Sequence, residues 1–363
     1  MKERLHALAS AQTPAPADDP YAEGRAVIAG LQEIVTPDGV DERFTVTLGG
    51  ARQVVRARGA DRANPILLFV HGGPGAAEMP YLWSFQRPWE DFFTVVQWDQ
   101  RGAGLSYALN DPAAIAPTLT LDRYVADAIE LIELLRARYG KRKVILVGHS
   151  WGSFVGLHIA QRRPDLLHAY VGMGQLIDWL DNERVQFEWT LAEARRRGDG
   201  EAIAALEALR PYPGPQGIDA TRIDVLRGVS RRYGALAAYR DDMQFYFSIP
   251  RLSPEYTRED RAAANAGSAL AIRTIIPAMA GESAEDITRL EVPVILILGR
   301  HDQTTPAGIA AAWLARLAAP SKALVWLEHS AHLMMVEEPG RTLAALLEHV
   351  RPIAVAAGDG ARE

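Results

Sequence analysis

K-V-I-L-V-G-H-S-W-G-S, residues 143–153, decides the fold. Lys143–Val147 is a short continuous apolar run and reads as a buried strand. Trp151–Arg163 has the spacing of a helix, so G-H-S-W-G at Gly148–Gly152 is the turn between strand and helix. Gly148 and Gly152 stand two residues before and two after Ser150, where only small residues let the chain double back. Such a turn lifts the Ser150 hydroxyl above the sheet and aims the helix N-terminus at any negative charge forming there. A G-x-S-x-G can arise by chance among 30 glycines, but here it has the strand and helix that a nucleophile turn requires.

Working outward, the same alternation repeats. Two alternating runs, Phe44–Leu48 and Gln53–Arg58, predict a hairpin around Gly49-Gly50. The run Ile66–Val70 ends in H-G-G-P-G at His71–Gly75, and Phe93–Trp98 ends in D-Q-R-G-A-G at Asp99–Gly104. A helical pattern covers Leu121–Tyr139 and stops at Gly140. Ala169–Met173, Val292–Leu298 and Ala323–Leu327 read as further strands, with helices at Ala307–Ala318 and Pro339–Val350. Solid apolar strands separated by amphipathic helices imply a mostly parallel sheet covered on both faces. Residues 175–286 lack apolar strand runs and read as an all-helical cap, rich in aromatics such as Trp179, Phe187, Tyr246 and Phe247. The expected organisation is a loosely ordered arm over 1–40, a core over 41–174 and 287–353, the cap between, and a flexible tail over 354–363.

Composition limits the function. The 363 residues are 48% hydrophobic and 23% charged, with a formal charge of −6 and no basic stripe, which argues against nucleic acid as a partner. With no cysteine, thiolate nucleophiles, disulfides and cysteine-bound metals are all excluded. No window reaches the length of a membrane span. The start, M-K-E-R-L-H-A-L-A-S-A-Q, has only a short apolar stretch and carries His6, so a cytoplasmic protein is expected rather than a secreted one. The composition does not give the oligomeric state.

A serine needs a base, and the base an orienting acid. Asp302 follows the strand Val292–Leu298, and His332 follows Ala323–Leu327, both just past strand ends where open parallel sheets place their sites. His301 and His329 are their neighbours and rivals. His329 and His332 lack a third ligand for a metal, and no metal or organic cofactor is expected. H-G-G-P-G supplies backbone amides for an oxyanion: Pro74 has no N–H, so Gly73 is preferred with Gly72 as alternate, and the Trp151 amide is the second donor. Asp99 and Arg101 read as a structural ion pair or turn staple. In the cap, Asp178, Asp181 and Glu188 share helical spacing and by default form a solvated face, while Glu183 falls off that stripe.

H-G-G-P-G at 71–75, D-Q-R-G-A-G-L-S at 99–106 and G-H-S-W-G-S at 148–153 together resemble the prolyl iminopeptidase branch of the α/β-hydrolases. S-A-H-L-M-M-V-E-E-P at 330–339 resembles that superfamily's histidine loop, and G-R-H-D-Q-T-T-P its acid loop. The resemblance covers about 40–175 and 290–350 and implies an α/β-hydrolase fold with Ser150, Asp302 and His332 as its triad. It further implies a serine hydrolase that removes an N-terminal residue from a short peptide, with cap acids receiving the substrate ammonium. Glu183 and Glu188 are the candidates, beside Trp179, although the cap does not visibly match the peptidase cap. Two alternatives stand: a carboxylesterase or lactonase for small hydrophobic substrates, and a non-catalytic binding protein on the same fold.

Overall fold

The computed structural model describes residues 19–214 and 217–360. A helix α1 (Ala22–Leu31) precedes the hairpin β1 (Val40–Leu48) and β2 (Ala51–Gly59). Then come β3 (Ile66–Val70), β4 (Thr94–Asp99), α2 (Leu121–Tyr139), β5 (Val144–His149), α3 (Trp151–Arg162) and β6 (Leu167–Met173). The cap helices are α4 (Trp179–Arg197), α5 (Gly200–Glu207), α6 (Ala220–Arg232), α7 (Gln244–Ser248) and α8 (Arg258–Ala278). The core resumes with β7 (Val294–Gly299), α9 (Ala307–Arg316), β8 (Lys322–Leu327), α10 (Pro339–His349) and α11 (Arg351–Ala356).

The eight strands form one sheet in the order β1-β2-β4-β3-β5-β6-β7-β8. Only the β1–β2 and β2–β4 pairings are antiparallel; the five from β4–β3 to β7–β8 are parallel. Every residue of β3 to β7 is buried, as a parallel sheet covered on both faces requires. Alternate residues serve opposite cores: Ile66, Leu68 and Val70 join Trp151 and Trp313 on one face, and Leu67 and Phe69 join Trp89 and Met334 on the other. Helix α2 starts where the Thr120 hydroxyl accepts the Arg123 amide at 3.3 Å and stops at Gly140, in the left-handed conformation.

Register aligns the loops that matter. Val70 pairs with Trp98 on one side and Gly148 on the other, so the loops after β3, β4 and β5 leave one edge together. Gly299 pairs with Leu327, which brings the loops after β7 and β8 to that edge too. The cap has a small core of its own around Phe187, Leu191, Leu206, Tyr212 and Leu226. Its turn after α6 is tied to the sheet edge: the Ala235 carbonyl accepts the Gln303 amide and the Thr304 hydroxyl, and the Leu236 carbonyl accepts the His332 amide at 3.1 Å.

Three expectations need correction. The arm holds a helix, α1, and Gln32 after it is buried, its amide donating to the Trp83 carbonyl at 2.7 Å. The leader-like start lies outside the described residues. The tail does not fray at Ala354. That residue is buried within α11, and the Asp359 carboxylate accepts the Arg142 and Lys143 amides at 2.9 and 3.0 Å and faces His168 at 2.8 Å. Short polar anchors of this kind leave no hydrophobic period in the sequence. Asp99 and Arg101 form no ion pair with each other, and of the two alternatives Asp99 is the turn staple. Arg101 grips buried Asp127 through two bonds of 2.8 and 3.0 Å, and Asp99 accepts the Leu105 amide at 2.7 Å and the Tyr256 hydroxyl.

Candidate active site

Ser150 occupies φ 54°, ψ −122°, a conformation that costs a non-glycine residue about 1–3 kcal/mol. The surrounding contacts enforce it. The Ser150 amide donates to the Met173 carbonyl at 3.0 Å, and the Ser153 hydroxyl donates to the Ser150 carbonyl at 2.6 Å. A Cβ on Gly148 would lie 2.4 Å from the Gly152 carbonyl oxygen, and one on Gly152 only 1.9 Å from that of Val70. The two glycines therefore exist for space, as their spacing predicts.

His332 and Asp302 come together from loops 30 residues apart. The His332 Nδ1 lies 2.8 Å from Asp302 Oδ2, so Nδ1 carries the proton and Nε2 is left as the basic nitrogen. The other carboxylate oxygen accepts the amides of Thr304 and Thr305, both at 2.9 Å. The Thr305 hydroxyl donates to Oδ2 at 2.9 Å and closes the ring of donors. Both side chains are buried. The rivals stand apart: His301 meets the Tyr239 hydroxyl on the exposed surface, and neither His301 nor His329 lines the cavity that holds Ser150 and His332.

That cavity has a volume of about 340 Å³ and runs between sheet edge and cap. Gly72, Gly73 and Trp151 line its core side, Trp179 and Glu183 its cap side. Gly73 has φ +122°, which a side chain would resist. The amide of Gly72 is directed at Glu78 Oε1, at 3.3 Å, whereas the Gly73 amide meets no acceptor among the described residues.

Two of the cap expectations separate. Glu183 is fully buried on the cavity wall, but Arg227 bonds one of its oxygens and the Tyr212 hydroxyl the other. Glu188 points away: its side chain is 52% exposed and pairs with Arg210 at 3.6 Å, so it belongs to the solvated face of α4 and not to the site. Trp179 is buried against Trp151, ring centroids 6.1 Å apart.

Sequence reasoning missed Glu78. It is buried, lines the cavity, and ties three loops together. Its Oε1 receives the Gly72 amide and faces His149 Nδ1 at 2.5 Å, and His149 Nε2 reaches the main-chain oxygen of His332 at 3.0 Å. Both ring nitrogens of His149 therefore meet acceptors, which favours the doubly protonated ring. Burial is the largest single influence and lowers its pKa, but the Glu78 charge and hydrogen bond, the His332 main-chain oxygen and the Asp302 charge together outweigh it, and the net shift is upward. Nothing periodic marks Glu78; an acid four residues after Pro74, in a loop leaving a buried strand, was the available signal. Glu337 was missed likewise. It accepts the amides of Ala331 and Leu333 in the histidine loop and of Ala238 in the cap, and burial raises its pKa to about 7.

The chain belongs to the alpha/beta hydrolase fold family, whose profile matches residues 65–339. Within it the chain is similar to proteins named as an aminopeptidase and as a proline iminopeptidase. The Bacillus subtilis (strain 168) protein named "Probable aminopeptidase YbaC" is 30% identical over 313 residues, 84% of this chain and 95% of that protein. The structure of a proline iminopeptidase from Mycobacterium smegmatis superposes with a TM-score of 0.63 at 20% identity, over 87% of this chain and all of that one. A thermophilic esterase from Thermogutta terrifontis superposes with a TM-score of 0.54 at 18% identity, over 86% of this chain and 99% of that one. At those identities the two structures speak for fold alone. Among the described residues no helix is long and apolar enough to cross a membrane.

Proposed function

We propose that this hydrolase is a serine aminopeptidase that works through an acyl-enzyme. The observation that carries the reading is Ser150 at φ 54°, facing one cavity with a histidine whose Nδ1 is held by Asp302. In this reading His332 Nε2 takes the Ser150 proton as Oγ bonds to the carbonyl carbon. The amides of Trp151 and Gly73 receive the oxyanion; the engagement of the Gly72 amide by Glu78 supports Gly73 over its neighbour. The C–N bond breaks, His332 passes its proton to the leaving amine, and a water activated by the same nitrogen releases the acid.

The similarity to a named aminopeptidase over nearly its whole length supports an amide substrate with a free N-terminus. One observation favours the ester or lactone reading instead: Glu183, which with Asp224 is one of the two cap acids that line the cavity, is already neutralised by Arg227. The test is kcat/KM on proline p-nitroanilide and on p-nitrophenyl butyrate, with Ser150→Ala alongside. Cleavage of the anilide supports the peptidase, and turnover of the ester alone moves the substrate to esters. Near wild-type activity in Ser150→Ala would refute the serine mechanism.

A further inference from the structure

Glu78 and Arg227 line the catalytic cavity, and each has one charged atom, Oε2 and Nη1, that is buried and lacks a hydrogen-bonding partner among the described residues. They share that cavity with Ser150 and carry opposite charge. Burying a charged group without its hydrogen bonds is costly, so two such residues of opposite charge on the wall of one cavity point to a ligand that bonds both.

Their settings differ. Glu78 belongs to the catalytic edge. A Cβ placed on Gly72 would lie 3.0 Å from Ser150 Cβ and 3.5 Å from Glu78 Oε1, so the carboxylate and the Ser150 side chain flank the same glycine. Its Oε1 is spent on the Gly72 amide and His149, and Oε2 remains. Tyr246 of the cap also lines the cavity and gives it an aromatic wall. Carboxylate and aromatic face together suit an ammonium group. A peptide's N-terminal ammonium is two bonds from the attacked carbonyl carbon, so the acid that receives it must lie beside the nucleophile.

Arg227 belongs to the cap. It projects from α6 and its Nη2 is spent on Glu183, itself held by Tyr212. The guanidinium is thus fixed in place with Nη1 left over. Arg231, one turn further along α6, lines the same cavity and has no ion pair among the described residues, its guanidinium lying over Phe247 at 5.9 Å. A rigid guanidinium with a spare donor and a second arginine beside it suit a carboxylate. The volume, about 340 Å³, is at the small end of ligand pockets and limits the occupant to a few residues.

We propose that the substrate is a short peptide with both termini free, its ammonium received by Glu78 beside the nucleophile and its carboxylate by Arg227, with Arg231, at the cap end. The inference rests on the amide-cleaving reading above and adds the substrate class to it. The core-loop acid takes the ammonium because it stands beside the nucleophile, and the arginine that holds Glu183 recognises the other terminus.

The test compares kcat/KM for three forms of each of the dipeptides Pro-Ala, Ala-Ala and Leu-Ala: free, C-terminally amidated and N-acetylated. The free form of the preferred sequence is expected to exceed each blocked form by about 10-fold or more, because a site built to bond a polar group rejects the analogue without it. Arg227→Lys keeps a cation for Glu183 but removes Nη1, and should bring the free-to-amide ratio toward one. Glu78→Gln should bring the free-to-acetyl ratio toward one. If either variant does not fold, the wild-type ratios decide. Peptide amides cut as well as free peptides overturn the carboxylate site and leave the peptidase reading intact. N-acetyl peptides cut as well as free ones overturn the Glu78 site. Turnover of p-nitrophenyl butyrate with no cleavage of any peptide overturns the peptidase reading, and this inference with it.

Discussion

Gly174→Ala tests whether the base is positioned by packing. Gly174 follows β6 with φ +51°, and a Cβ there would lie 2.9 Å from both Cε1 and Nδ1 of His332 and 3.3 Å from Asp302 Oδ2. Ordinary carbon contacts begin about 0.5 Å further out, so the ring or the turn must move by roughly that much. A misplacement of about 1 Å in a catalytic group can cost about 100-fold, so half of it should lower kcat about 10-fold with little change in KM. The left-handed backbone adds about 1–2 kcal/mol of strain. Gly140→Ala is the control, because Gly140 has φ +65° and no atom within 4 Å of its missing Cβ. Both variants should lose a few degrees of Tm, and only Gly174→Ala should lose kcat on p-nitrophenyl butyrate. Equal kcat in the two variants would refute the claim that this turn positions the imidazole.

Asp302→Asn should lower kcat by several orders of magnitude, about 10⁴-fold in enzymes of this mechanism, with Tm little changed; a rate near wild type would show that another acid orients the base. Asp99 is pushed up to about 7 by burial, against the hydrogen bonds from Tyr256 and Leu105 that pull it down. Its folded pKa exceeds its unfolded 3.8, so the folded state holds the extra proton between these values and stability falls as pH rises through that window, by about 1.4 kcal/mol per unit. Asp99→Asn should flatten the fall in Tm measured between pH 4 and 8, and an unchanged slope would assign the effect elsewhere, Glu337 first. Asp359→Ala removes the charged acceptor of the part-buried Arg142 and Lys143 amides and should cost about 1–3 kcal/mol in urea unfolding; no loss would mean the C-terminal segment does not brace the sheet.

The sequence alone determined the sheet, the elbow and the order of the candidate residues. Those features are written locally: continuous apolar strands have a period, glycines two before and two after Ser150 have a steric purpose, and Asp302 and His332 follow strands closely. The helical cap was legible for the same reason, since its helices carry their own 3.6-residue pattern. Only the tertiary structure decided which of its acids faces the cavity. Helical spacing left the direction of Glu183 open, and packing against Tyr212 and Arg227 turned it inward while Glu188 went to solvent. The same holds for Glu78, Gly174, Glu337 and Asp359. Each has a contact distant in the chain: Glu78 with His149, 71 positions on, Glu337 with Ala238, 99 positions back, and Asp359 with His168, 191 positions back. A polar contact at such separation leaves no period in a single sequence, because its energy comes from burial that exists only once the sheet has brought both ends together.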